Sequence, residues 1–178
     1  GLAPYAAPEL PCGCGKAQVL DVAAEVAKAK ATRDNERLGL PSIDLIGTAD
    51  LKLDTGKYYF SGVRTLGETT IEITGAVAIY IDGNLDQVGT QSIKVAKGAT
   101  LDLYVAGNLE LVGDSDFGGE AGQVRLYIGG ASPVAVSVGS AVFRGALYAP
   151  AAEVSFVGHT LVEGALFART LSGVGTME

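Results

Sequence analysis

One short motif returns six times along this chain, an aromatic residue set between two mostly aliphatic neighbours. The copies are Tyr58-Tyr59-Phe60, Ile79-Tyr80-Ile81, Leu103-Tyr104-Val105, Leu126-Tyr127-Ile128, Leu147-Tyr148-Ala149 and Leu166-Phe167-Ala168. Their first positions are separated by 21, 24, 23, 21 and 19 residues. A period of that size, carried by strands with little helix, is the signature of stacked coils in a parallel β-solenoid. Side chains along a strand alternate between faces, so the aliphatic pair in each motif is expected inside and the aromatic outside. Coils lie about 4.8 Å apart, which would stack the rings into a ladder along one outer face.

The stretches between motifs agree with this. Ile71-Glu72-Ile73-Thr74-Gly75 is echoed by Ile93-Lys94-Val95-Ala96, and Ile81-Asp82-Gly83-Asn84-Leu85 by Val105-Ala106-Gly107-Asn108-Leu109. Val-Gly pairs follow at Val88-Gly89, Val112-Gly113, Val138-Gly139 and Val157-Gly158. Each unit therefore holds about three short strands separated by Gly, Asn or Asp corners. The expected fold is all-β: a single-stranded parallel β-helix, a right-handed solenoid of about six coils, over residues 43–178. At 178 residues, 48% hydrophobic and 19% charged, the chain is read as one folded domain.

Before the coils come two other segments. Residues 1–16 hold three of the six prolines and read as an extended arm. From 17 to 32, Val19, Leu20, Val22, Ala23, Val26 and Ala27 fall at helical spacing opposite Asp21, Glu25, Lys28 and Lys30. This predicts a capping α-helix at the N-terminal end of the solenoid, with the alternative that it lies lengthwise over the aromatic ladder. Arg33-Asp34-Asn35-Glu36 marks its exit.

Charge excludes one class of partner. A net charge of −7 and a pI near 4.7, with no basic stripe, disfavour nucleic acid. No apolar run approaches the roughly 20 residues of a membrane helix, so no membrane insertion of this stretch is expected. The chain starts without Met or a charged targeting region and stops at Glu178, which reads as a trimmed product or a fragment. Cys12 and Cys14, separated only by Gly13, admit a small strained disulfide, two free thiols, or a metal site with recruited carboxylates.

Chemistry is faint. His159 is the only histidine and falls at a corner, with Ser140 as its counterpart one coil earlier. The acids do not align between coils: Asp82 is matched by Ala106 and Gly129, Asp102 by Ala78 and Arg125. A polysaccharide lyase or hydrolase on this fold would need carboxylates gathered on one face. Asp114-Ser115-Asp116 is the best calcium candidate but lacks the spacing of a dedicated loop, and an Asx turn explains it as well. Gly83-Asn84 and Gly107-Asn108 are explained by corner geometry. Tyr80, Tyr104, Tyr127 and Tyr148 are the candidate ligand-binding residues, since outward tyrosine faces suit sugars or peptides. The competing reading buries them under the helix or turns them into the core. No catalytic residue and no cofactor are assigned.

Leu10-Pro11-Cys12-Gly13-Cys14, the helix ending in Arg33-Asp34-Asn35, Gly56-Lys57-Tyr58-Tyr59-Phe60, the Asp82-Gly83-Asn84 corner and the Gly145-Ala146-Leu147-Tyr148-Ala149-Pro150 box together resemble a bacterial surface-exposed β-helix domain. That domain occurs in uncharacterised envelope and pilus-assembly-associated proteins. The resemblance implies a secreted or envelope location and carries no catalytic residues over. The expected role is a non-enzymatic cell-surface structural or adhesion module, monomeric or weakly oligomeric, that meets a surface glycan or protein. A polysaccharide-acting enzyme and a self-assembling solenoid are the alternatives.

Overall fold

A computed structural model describes residues 19–38, 49–120 and 122–178. Two short helices, α1 (Val22–Ala29) and α2 (Asn35–Leu38), precede ten strands. These are β1 (Ala49–Leu53), β2 (Gly56–Phe60), β3 (Val63–Ile73), β4 (Ala76–Ile81), β5 (Leu85–Val95), β6 (Thr100–Val105), β7 (Leu109–Val112), β8 (Ser115–Phe117), β9 (Val124–Ile128) and β10 (Val134–Met177). Every pairing between different strands among the described residues is parallel. The long β10 pairs in turn with β7, β8 and β9, so a single assigned strand bends around the faces of a coil.

The architecture is a parallel β-solenoid, and its register is the one the motif predicts. Tyr59 pairs with Tyr80, Tyr80 with Tyr104, Tyr104 with Tyr127, and Tyr127 with Tyr148, which carries the chain through about four turns. The expected six coils are matched only roughly, because the sixth motif joins this face by ring stacking of Phe167 on Tyr148. Strand alternation does what hydropathy dictates: in β6, Leu101, Leu103 and Val105 are buried while Asp102 and Tyr104 face outward. Stacked inward residues, such as Ile79, Leu103, Leu126 and Leu147, fuse into one apolar column. Burial of each such side chain is worth roughly 1.5–3 kcal/mol.

One corner sets the geometry of the stack. Gly67, Gly89, Gly113, Gly139, Gly158 and Gly175 all adopt φ between 104° and 148°, the left-handed side that disfavours any residue with a Cβ. They also lie over one another. A Cβ placed on Gly89 or Gly113 would drive into the carbonyl oxygen of the preceding glycine of the column, and the same holds for Gly158 and Gly175. Backbone torsion and rung-to-rung approach therefore demand glycine independently.

The N-terminal helix is shorter than expected and takes the second of its two expected placements. It spans 22–29 rather than 17–32, because Asp21 acts as its N-cap, its Oδ1 accepting from the Ala24 N–H at 3.0 Å. Val19 and Leu20 thus precede the helix and are exposed, and of the apolar residues counted from sequence only Val22 and Val26 are buried. Nor does α1 close an end of the solenoid. Val22 and Val26 pack on Tyr59, Tyr80, Tyr104, Tyr127 and Tyr148, so the helix runs along the ladder. The small valine-lined face is shallow enough to seat on flat stacked rings.

The glycine column generates a paired expectation. Gly113→Ala, strained and obstructed, should cost on the order of 3 kcal/mol or more. Gly98→Ala, also at positive φ (80°) but with no atom within 4 Å of the added Cβ, should cost only about 1 kcal/mol. Urea unfolding of the two variants checks both values.

Candidate functional site

The ladder is the most ordered feature of the surface. Tyr80 and Tyr104 stack with centroids 4.8 Å apart and planes at 8°, Tyr104 and Tyr127 at 4.4 Å and 7°. Tyr127 and Tyr148 break the run, at 6.2 Å and 55°, before Tyr148 stacks on Phe167 at 5.2 Å and 9°. The four tyrosines named as ligand-binding candidates are half-buried, with their faces taken by each other and their outer side by α1. Only Phe167, 54% exposed, lies open. Tyr104 is thus stacked on both faces, by Tyr80 and Tyr127, and Tyr80 and Tyr127 on one each. The Leu20 N–H adds a hydrogen bond to the Tyr148 hydroxyl at 2.8 Å, which ties the residue before the helix to the same face.

Polar groups hold the ladder from its flanks. Arg125 and Asp102, outward neighbours on adjacent rungs, form a bidentate pair, Nε to Oδ1 and Nη2 to Oδ2, the latter 2.7 Å. Tyr59 donates its hydroxyl to Asp82 at 2.6 Å, with Lys30 3.8 Å from the same carboxylate and 5.6 Å from the ring centroid. Burial pushes the phenol pKa of Tyr59, Tyr80 and Tyr104 upward, and Asp102 adds to it for Tyr80 and Tyr104.

A second device was hidden in the sequence. The Asp34 N–H donates to the Lys57 carbonyl at 2.7 Å, and its carboxylate accepts from the Lys57 N–H at 2.9 Å. Asn35, 7% exposed, accepts from the Tyr59 N–H at 2.7 Å and donates to the Tyr59 carbonyl at 2.9 Å. Two side chains thus stand in for a missing rung and close the free edge of β2. The sequence pattern marks Arg33-Asp34-Asn35-Glu36 only as a helix exit. The available signal was spacing, since Asn35 precedes Tyr59 by 24 residues, one coil length.

The corners use the same substitution. Asn84 Oδ1 accepts from the N–H of Asn108, its counterpart one coil on, at 3.0 Å. Asp114 Oδ1 accepts from the Ser140 N–H at 3.1 Å, a rung-to-rung bond. Asp114 and Asp116, the calcium candidates, are both exposed, and no group of three or more His, Cys, Asp or Glu side chains among the described residues could hold a metal ion. Cys12 and Cys14 lie outside the described residues. His159 is exposed at its corner, as expected.

Asp114, Asp116, Ser140, His159 and Glu178 are among the residues that line an open groove of about 490 Å³. Acids do not stack from rung to rung on either face: in the groove Asp116 pairs with Ser92 and Val142, and beside the ladder Asp102 pairs with Ala78 and Arg125. No helix among the described residues is long and apolar enough to cross a membrane.

A parallel β-solenoid with a helix-covered aromatic face is what this chain builds, and over residues 16–177 it matches the DUF7305 family, a domain of unknown function. The chain belongs to that family. Neither a curated protein nor a solved structure matches it.

Two measurements test this arrangement. The phenols of Tyr59, Tyr80 and Tyr104 stay neutral in the folded chain while unfolded tyrosine ionises near pH 10, so their contribution is complete below about pH 10 and is lost as pH climbs through the raised folded values. Stability should fall steadily above about pH 10, and Tyr104→Phe should flatten that fall in unfolding curves across the range. Asn35→Ala leaves the Tyr59 N–H and carbonyl unmet and should cost about 2–3 kcal/mol, with faster amide exchange at Tyr59; Asn35→Asp, which keeps the acceptor, should fall between.

Proposed function

We propose that this chain is a non-enzymatic structural module of the bacterial cell surface, placed outside the cytoplasm in the setting of envelope or pilus-assembly proteins. The observation that supports it is where the conspicuous side chains make their bonds. Asp34 and Asn35 close an edge, Asn84 and Asp114 join rungs, and the tyrosines hold one another and α1. A rod whose polar and aromatic groups are engaged in its own cohesion suits load bearing or spacing better than turnover. An adhesive role toward a surface glycan or protein would use a surface other than the covered ladder.

A self-assembling solenoid has one observation in its favour. Phe167, Leu171, Val174 and Met177 are exposed in the last part of β10. At the other end Asp34 and Asn35 already occupy the β2 edge, which opposes head-to-tail stacking there.

The deciding experiment is antibody labelling of an epitope-tagged full-length protein in its native host, before and after permeabilising the envelope. Labelling of intact cells is expected; signal confined to permeabilised cells overturns the placement. Sugar release from uronate polymers, with and without calcium, is expected to be nil, and turnover abolished by Asp114→Ala or Asp116→Ala would establish the enzymatic alternative. Light scattering that grows steeply with concentration would favour self-assembly instead.

A further inference from the structure

On the face that runs on from the glycine corner, outward positions of successive rungs form a column of Lys52, Glu72, Lys94, Gly118, Arg144 and Glu163. Lys52 Nζ donates to Glu72 Oε1 at 3.1 Å, and Arg144 Nε donates to Glu163 Oε2 at 2.6 Å, so each ion pair engages one oxygen of its carboxylate. These four side chains remain between 32% and 67% exposed. From the first rung to the sixth the column reads plus, minus, plus, neutral, plus, minus. Laid against its own reverse, it sets minus opposite plus at both ends and plus opposite minus one rung further in. Ser92 and Asp116, in register on the two middle rungs of the column beside it, exchange places under the same reversal, so each Asp116 comes opposite a hydroxyl.

We propose that this face is a docking surface for a second copy of the chain, packed side by side with the solenoid axes antiparallel and the two-fold axis between the rungs of Ser92 and Asp116. That arrangement sets Lys52 against Glu163 of the second copy and Glu72 against its Arg144, each twice. Two rings of four alternating charges then form across the junction, each built from one ion pair of either copy. Parallel packing through the same column would set each charge against itself. A two-fold contact requires such self-complementarity, since one patch serves both sides, and it closes at a dimer. The copies overlap along all six rungs, a span of about 24 Å at β-sheet spacing. A junction held by exposed charges is weak and is screened by salt.

The test is sedimentation of the full chain at low and high salt, at protein concentrations up to about 1 mM, with Lys52→Glu and Glu163→Lys variants run alone and mixed. The unaltered chain is expected to level off at twice the monomer mass at low salt and to dissociate as salt is raised. Each variant alone brings like charges face to face at two places and should bind itself about tenfold more weakly. Mixed in equal amounts, the two variants regain opposite charges at both places and should associate as tightly as the unaltered chain. An effect confined within one chain cannot produce that recovery. A chain monomeric throughout, a dimer indifferent to either variant, growth beyond the dimer, or a mixture no tighter than its components overturns the proposal. Where one variant fails to fold, Glu72→Lys mixed with Arg144→Glu reads the other side of the same rings.

Discussion

Close approach of backbone to backbone at the glycine corner is the condition on which the solenoid rests. Gly67, Gly89, Gly113, Gly139, Gly158 and Gly175 sit so tightly over one another that no side chain fits between most of them. That contact holds the coils at β-sheet spacing, and the spacing in turn lets inward leucines, isoleucines and valines stack into one column and outward tyrosines stack into a ladder. The polar cluster of Thr65, Thr69, Gln87 and Gln91 lies directly inside the same bend in the first coils, and buried Leu111 takes the place of Gln87 one coil on.

A stack of parallel rungs has a chemical problem at its edges and corners, where backbone groups lose their neighbours. This chain answers it with short polar side chains that imitate a peptide group. Asn35 gives Tyr59 both a donor and an acceptor, Asp34 serves Lys57, and Asn84 and Asp114 serve the next coil. Residues that resemble ligand or metal groups in a bare sequence are thus engaged in cohesion. The ladder follows the same logic: its rings saturate one another, and α1 covers what remains apolar. The groove beside Asp114 and His159 is an open concavity on the outside of the coils.

Much of the fold was legible because its cause is local and repeated. Tyr80, Tyr104 and Tyr127 recur with aliphatic neighbours at one period, and the observed register pairs them as that period requires. The mismatch of Asp102 with Ala78 and its match with Arg125 could also be read directly from alignment of the repeats, although their bidentate pairing could not. The helix was legible only in part. Its periodicity was real, but Asp21 cut it short, and whether Val22 and Val26 would meet a coil end or the ladder depends on surfaces absent from the helix's own sequence.

By itself, then, the order of residues determined the coil period, the inward and outward faces, and the glycine bends, because each follows from strand alternation and backbone torsion within a few residues. Tertiary structure alone decided that α1 lies along the tyrosines, that Asp34 and Asn35 close the β2 edge, and that Thr69 and Gln91 face one cavity. Those outcomes depend on which unsatisfied group or exposed ring lies within reach once the coils have stacked, a matter of proximity across whole turns of chain.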